Sequence, residues 1–283
     1  MLSSNIIYHF EELLSEKIIA NKPLSGGDIN AVYLLISDKQ KVVVKLNLES
    51  KFPKMFETEA QGLQKLKDTS TFIVPEILHI GVVDNIAFLM LQYIDQAKSN
   101  VTFWENFGKQ LGRLHRNTES YFGLEENNYI GSLPQYNSIC ESASEFYITQ
   151  RLEPQFKIAS QNGFSFSRLS GFYKNISEEI PDEASSLIHG DLWRGNYMVS
   201  QGGEPCLIDP AVAYAPREMD IAMMHLFGGF NSQLFKIYNE VFPLQMGWND
   251  RISIFQLYYL LVHLNVFGSS YYNQVKNIVN RYF

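Results

Sequence analysis

An antiparallel-sheet lobe followed by a mainly helical lobe, an α+β architecture, is what this sequence predicts, and three observations carry the prediction. Two β-branched runs, Ala31-Val32-Tyr33-Leu34-Leu35-Ile36 and Val42-Val43-Val44-Lys45-Leu46, flank the turn Ser37-Asp38-Lys39-Gln40 and read as a hairpin. Beyond residue 100 the hydrophobic period is predominantly that of a helix. Between the two regimes, Ile86-Ala87-Phe88-Leu89-Met90-Leu91 reads as a strand ending in Gln92-Tyr93-Ile94-Asp95-Gln96, which places the boundary between a lobe of residues 1–93 and a lobe of residues 94–283.

The elements follow in chain order. Ser25-Gly26-Gly27-Asp28-Ile29-Asn30 is a short glycine turn before the hairpin, and the backbone N–H groups of Gly26 and Gly27 could approach phosphates with no Cβ in the way. A helix is predicted from about 54 to 68, with Phe56, Ala60, Leu63 and Leu66 on its apolar face. At about 100° per residue, Glu59 shares that face while Glu57 lies roughly opposite. A carboxylate on an apolar stripe is costly to bury unpaired, so Glu59 is expected to meet a cation, and Lys45 on the inner strand supplies one.

In the second lobe, helices are predicted over 102–116, through Phe103, Phe107, Leu111 and Leu114, and over 142–159. His115, ending the first, reads as a cap or solvated residue. Residues 125–140 read as an irregular loop bordering an acceptor site. Pro216 can begin a helix that carries Asp220 in its first turns. The aromatic end, with Phe255, Tyr258, Tyr259, Phe267, Tyr271 and Tyr272, reads as core.

The chemistry is carried by His189-Gly190-Asp191-Leu192-Trp193-Arg194-Gly195-Asn196 and by Cys206-Leu207-Ile208-Asp209-Pro210-Ala211. A His-x-Asp-x4-Asn element ahead of a second carboxylate at a strand end is the layout of a phosphoryl-transfer site. Such a site needs a base for the acceptor hydroxyl and oxygen ligands for Mg2+. Asp191 is the candidate base, and Asn196 and Asp209 are the candidate ligands. Trp193, two residues after the base, has two readings: an aromatic wall for the acceptor, or a packed support for the loop. Arg194 likewise either offsets charge developing on a γ-phosphate or is simply solvated.

With Leu187-Ile188 ahead of the first loop, Asp209-Pro210-Ala211 in the second and Met224-His225-Leu226-Phe227-Gly228-Gly229-Phe230 beyond, the chain resembles the fructosamine kinase (ketosamine 3-kinase) family from about residue 24 to 267. The resemblance implies a bilobal protein-kinase-like fold related to aminoglycoside and choline phosphotransferases. It also implies use of ATP and Mg2+ to phosphorylate the sugar 3-hydroxyl of a free or protein-bound glycated amine. Lys45 would then contact the α/β-phosphates with Glu59 as its partner, main-chain groups of Leu91 and Tyr93 would hold adenine, and Asp220 would anchor the catalytic loop's backbone. A phosphotransferase with another small acceptor, or a nucleotide-binding pseudokinase, is the alternative; the intact set Lys45, Glu59, Asp191, Asn196 and Asp209 speaks against the pseudokinase.

Gly190 stands where many protein kinases carry the Arg that pairs with a phosphorylated activation loop. The segment 209–220 is short and has Tyr214 as its only hydroxyl, so activity is predicted without phosphorylation. Protein verified as phosphate-free by mass spectrometry should turn over substrate; inactivity relieved by phosphorylation would sink the expectation.

Composition sets the outer bounds. A chain of 283 residues with 46% hydrophobic content can bury a core of two-lobe size. A net charge of -7 with no Lys/Arg tract predicts no nucleic-acid partner. With no basic segment leading a long apolar run in residues 1–16, and no span of about twenty apolar residues, the expectation is a cytoplasmic protein with no membrane partner. Cys140 and Cys206 fit no zinc spacing, and Cys206 reads as a buried strand residue. Nothing in the sequence specifies an oligomeric state.

Overall fold

The computed structural model describes residues 2–24 and 29–283, so the glycine turn with Gly26 and Gly27 lies outside the described residues. Helix α1 (Ser4–Leu14), capped by the Ser3 hydroxyl, precedes strands β1 (Ile18–Pro23), β2 (Ala31–Ser37) and β3 (Lys41–Leu48). Helix α2 (Met55–Asp68) and strands β4 (Ile77–Val83) and β5 (Ile86–Gln92) complete the first lobe. The strands form one antiparallel sheet in the order β1-β2-β3-β5-β4. Neither α1, β1 nor β4 was anticipated from the sequence.

Strand periodicity assigns the two faces of this sheet. Val42, Val44 and Leu46 of β3, with Phe88 and Met90 of β5, pack against Ile6 and Phe10 of α1. The alternate residues Ala87, Leu89 and Leu91 join Phe56, Ala60, Leu63 and Leu66 of α2 on the inner face. Lys45 is therefore on the face that looks toward α2 and the second lobe.

The second lobe opens with α3 (Phe103–Leu114), followed by a short hairpin, β6 (Asn128–Ile130) with β7 (Leu133–Gln135). The predicted irregular loop of 125–140 is corrected accordingly. The expected helix over 142–159 is also not uniform: α4 (Ala143–Phe146) and α5 (Glu153–Gln161) are joined by a π-helical stretch, Tyr147–Leu152. Within that stretch Tyr147 donates to the Ile254 carbonyl at 2.5 Å, and buried Arg151 binds the Tyr136 carbonyl and Asn137 Oδ1. Such one-turn insertions re-aim side chains, here toward the chain that follows β7.

Helix α6 (Leu169–Glu179) leads to β8 (Ser186–Ile188), β9 (Tyr197–Val199), β10 (Pro205–Leu207) and β11 (Ala213–Ala215). Strand β11 pairs with β8, and β10 with β9, so the two chemistry-bearing loops are pinned side by side. Helices α7 (Glu218–Phe227), α8 (Ser232–Val241), α9 (Trp248–Phe267) and α10 (Tyr272–Arg281) close the lobe. Phe255 and Tyr258 lie in the core as expected. Cys206 is a fully buried residue of β10, and both cysteines are free.

Among the described residues, no helix is long and apolar enough to cross a membrane.

Candidate active site

The site is a cavity of about 450 Å³ between the sheet, the β8–β11 loops and helices α7 and α9. At its sheet side, Lys45 Nζ lies 2.6 Å from Glu59 Oε1 and 2.7 Å from Asp209 Oδ1. Glu59, rather than Glu57, is thus the α2 partner of Lys45. Burial alone would pull the ammonium's pKa down. The Asp209 and Glu59 carboxylates outweigh that, and Lys45 is held protonated, well above its ordinary pKa.

On the opposite side, Asn196 Nδ2 donates to Asp191 Oδ2 and to the Asp191 carbonyl, each at 2.9 Å. Burial raises Asp191 to about 7; Asp209 and Asp220 add to the effect and the Asn196 hydrogen bond opposes it. A base is most effective with its pKa near the working pH, so this environment suits proton transfer.

The loop around Asp191 is held from below. Asp220 is fully buried and accepts the backbone N–H groups of His189 and Gly190, each at 2.8 Å, while His115 Nε2 lies 3.1 Å from Asp220 Oδ2. His115 does occupy the C-cap position of α3, but it is not solvated: its second nitrogen meets Tyr238 Oη at 2.9 Å. The sequence reading of a solvated histidine is corrected, because the ring fills the space between α3, α7 and α8.

His189 Nε2 donates to the Ile208 carbonyl at 3.0 Å, and its Nδ1 accepts the Asp191 N–H at 3.3 Å. One neutral tautomer satisfies both bonds. Burial lowers the His189 pKa, against the opposing charges of Asp220 and Asp209. The unfolded chain therefore takes up a proton, near pH 6.5, that the native ring refuses. Stability from this group is complete above that pH and is lost as the pH falls below it. Asp191, raised to about 7, acts in the opposite sense over pH 7.5 to 5, so the test is the difference between proteins: a His189→Gln variant that still melts cooperatively should lose less, or gain more, in melting midpoint on acidification than wild type, and equal slopes would remove His189 as a contributor.

Gly190 has φ +83°, and a Cβ there would stand 2.0 Å from the Ala211 carbonyl oxygen. That oxygen is backbone, held in a loop whose Ala211 N–H donates to the His189 carbonyl at 2.9 Å. No side chain fits, so the missing activation-loop Arg has a steric basis. Gly190→Ala should lower stability by about 3 kcal/mol or more, from left-handed strain plus overpacking; a denaturant midpoint equal to wild type would contradict the packing.

Trp193 lines the cavity and is 40% exposed. A Cβ on Gly195 would fall 2.4 Å from its ring, so the indole lies directly over that residue. Arg194 is exposed, does not line the cavity and places Nη1 3.5 Å from Tyr197 Oη. Leu91, buried at the inner face of β5, and Tyr93, just past its end, also stand outside the cavity lining; the Tyr93 ring lies 5.2 Å from Lys41 Nζ.

The sequence reading missed several lining residues. Asn128, Tyr129 and Gly131 of the β6–β7 hairpin border the site, as does Tyr259, which is also in the core as expected. Phe267 and Tyr271 border it too, and their core reading is corrected, since Phe267 is exposed and Tyr271 only partly buried where they meet the cavity. The signal for the α9 wall was present as Tyr259, Val262, His263, Val266 and Phe267, one stripe at helical spacing. On a helix apolar nearly all round, such a stripe does not announce which face meets a cavity.

The donor set suits a divalent cation held jointly with phosphates. With Asp191 ionised, the lining carboxylates of Glu59, Asp191 and Asp209 face, among the described residues, one ammonium, that of Lys45. Among the described residues, no cluster of three or more His, Cys, Asp or Glu side chains could hold a metal ion alone. Mg2+ is commonly bound by only one or two protein groups plus substrate phosphates, which Asn196 and Asp209 can provide.

Comparison with known proteins agrees with this geometry. The profile of the fructosamine kinase family matches residues 2–283. A protein of Enterococcus faecium carrying the provisional name ketoamine kinase is 36% identical over 278 residues, covering 95% of this chain and 96% of its own. The chloroplastic protein-ribulosamine 3-kinase of Arabidopsis thaliana is 32% identical over 272 residues, 92% of this chain and 81% of that protein. A crystal structure from Haemophilus somnus 129PT, provisionally assigned as a fructosamine-3-kinase, superposes with a TM-score of 0.90 at 26% identity, covering 99% and 97% of the two chains. Spectinomycin phosphotransferase, solved with ADP and spectinomycin, shares the fold at a TM-score of 0.61 and 14% identity, covering 99% of this chain and 92% of its own. A bilobal α+β kinase-like fold, a Lys45–Glu59 pair facing Asp191, Asn196 and Asp209, and a profile match along nearly the whole chain lead to one conclusion: this chain belongs to the fructosamine kinase family.

Proposed function

We propose that the chain is an ATP- and Mg2+-dependent kinase that phosphorylates the 3-hydroxyl of a ketosamine, a ribulosamine or fructosamine formed by glycation of an amine, and so serves protein or metabolite repair in the cytoplasm. The observation that carries the reading is the convergence on one cavity of Lys45, paired with Glu59 and Asp209, and Asp191, oriented by Asn196.

In this reading residues 1–93 hold the nucleotide and residues 94–283 carry the catalytic loop and acceptor site. Lys45 meets the α/β-phosphates and is kept rigid and charged by Glu59. Gly26 and Gly27 contribute backbone N–H groups to the phosphates, and main-chain groups of Leu91 and Tyr93 contact adenine. Asn196 and Asp209 hold Mg2+, which when bound offsets charge on the phosphate oxygens. Asp191 orients the attacking hydroxyl and accepts its proton, and Trp193 closes the acceptor side against water. Arg194 acts on the acceptor only if it swings away from Tyr197 toward the cavity.

The test is ATP consumption with Mg2+ across ribulosamine, erythrulosamine, fructosamine, choline and an aminoglycoside, with the new phosphate located by NMR. Phosphorylation of a ketosamine at O3 is the expected result. Turnover confined to choline or the aminoglycoside would overturn the substrate class, and ATP binding with no turnover of any acceptor would favour a pseudokinase.

A further inference from the structure

The cavity extends past Asp191 onto a surface that phosphoryl transfer itself does not require. Helix α7 contributes Met223 and Phe227, α9 contributes Val262, His263 and Phe267, and Tyr271 follows α9. The His263 ring is the centre of an aromatic cluster, with centroids 4.7 Å from Phe227, 5.4 Å from Phe267 and 5.2 Å from Tyr271. Burial lowers the His263 pKa, against the opposing hydrogen bond that its Nδ1 makes to the Tyr259 carbonyl at 2.8 Å, so the environment favours the neutral ring. Phe227 is 38% exposed and Phe267 55%, unusual for phenyl rings grouped at a cavity mouth.

Charge is distributed unevenly along the cavity. Among the described residues, its acidic and ammonium lining groups are Lys45, Glu59, Asp191 and Asp209, all at the end where the catalytic set converges. The aromatic end has, among the described residues, no carboxylate in its lining to receive a second cation, so a polycationic acceptor would find no described partner there. An apolar group entering the same end would cover exposed phenyl surface and stack on the cluster.

Building on the ketosamine reading, we propose that this α7–α9 aromatic shelf is the subsite for the substituent on the ketosamine nitrogen, and that it selects arylalkyl or alkyl amines over amines that carry a further charge. In a ketosamine the nitrogen sits on C1, and only C1 and C2 separate it from the C3 that bears the reacting hydroxyl. With O3 held at Asp191, the nitrogen's substituent must extend into adjoining space, and the shelf is continuous with the cavity that holds Asp191. Phe227, Phe267 and Tyr271 are then specificity-determining residues.

The experiment compares two fructosamines with the same sugar, N-benzyl and N-(5-amino-5-carboxypentyl), in turnover with ATP and Mg2+. In parallel, calorimetric binding is measured without ATP for their 3-deoxy analogues, which lack the O3 acceptor. Wild type should favour the benzyl compound by about tenfold or more in kcat/KM and in affinity, the scale of one stacked aromatic group. In Phe267→Ala and Phe227→Ala that preference ratio should fall toward one, and Phe267→Tyr should restore it. Equal handling of the two compounds by wild type, no binding of either analogue, or an unchanged ratio in both alanine variants overturns the shelf. Preferential binding of the benzyl analogue without turnover of the parent ketosamine would instead keep the shelf and overturn the kinase reading.

Discussion

Asp191→Asn is expected to lower the phosphoryl-transfer rate by about 10²–10⁴-fold while leaving nucleotide binding within a few-fold of wild type. The substitution is nearly isosteric, and an amide oxygen can accept the same Asn196 Nδ2 hydrogen bond that Asp191 Oδ2 accepts now. What it removes is a group able to take a proton from the acceptor hydroxyl. The Lys45–Glu59–Asp209 arrangement lies on the other side of the site and should persist. Single-turnover kinetics alongside nucleotide titration separate the two effects; a variant as fast as wild type would remove Asp191 from its assigned role.

The same substitution carries a stability signature. Burial raises Asp191 to about 7, against about 3.9 in an unfolded chain. Between those values the native state holds a proton that the unfolded chain has released, so this group's contribution falls as the pH rises from about 4 to 7. A carboxamide cannot ionise, so at neutral pH the Asp191→Asn variant should melt at or above the wild-type temperature. Catalytic loss with retained or improved stability is the combination that distinguishes a catalytic base from a structural carboxylate.

Asp220→Ala should produce the opposite pattern, a loss of about 3–5 kcal/mol in folding stability that takes activity with it. The fully buried Asp220 carboxylate accepts two backbone N–H groups of the catalytic loop and faces the ring of fully buried His115. Burial would raise its pKa, but His115, His189 and the Gly190 N–H together hold it below the ordinary Asp value. Removing it strands two buried donors at the residues that lead into Asp191. Chemical denaturation would measure the effect. A loss below about 1 kcal/mol would mean that the loop is held in place by the β8–β11 pairing alone. Asp220→Asn is a milder control, since one amide oxygen can still accept from one of the two N–H groups.

The legible parts of this protein were those in which local pattern and chemistry coincide. The β2–β3 hairpin could be read because β-branched runs flank a polar turn, which placed Lys45 on the inner strand; its face was assigned by the packing of β3 and β5. Glu59 could be chosen over Glu57 because an apolar stripe at helical spacing defines an azimuth, and the ion pair at 2.6 Å is its consequence. The less legible parts depend on distant partners. Strands β1 and β4 are secured by pairing, and helix α1, whose apolar stripe was present in the sequence but overlooked, by packing onto the outer face of the sheet. The β6–β7 hairpin is held by Asn128 and Gln135, which donate to the carbonyls of Val212 and Ala211 more than seventy residues away. No local period encodes that.

By itself the sequence determined the family and the two-lobe order, and it singled out Asp191, Asn196 and Asp209, the set proposed for phosphoryl transfer, because they sit in two short turns whose spacing is legible locally. Tertiary structure alone decided that His115 is buried beneath the loop that carries Asp191, that Arg194 turns toward Tyr197, and that one face of α9 walls the cavity. The difference is physical: a turn's geometry is set by its own few residues, whereas a side chain on an apolar helix acquires a role only from the element that packs, or fails to pack, against it.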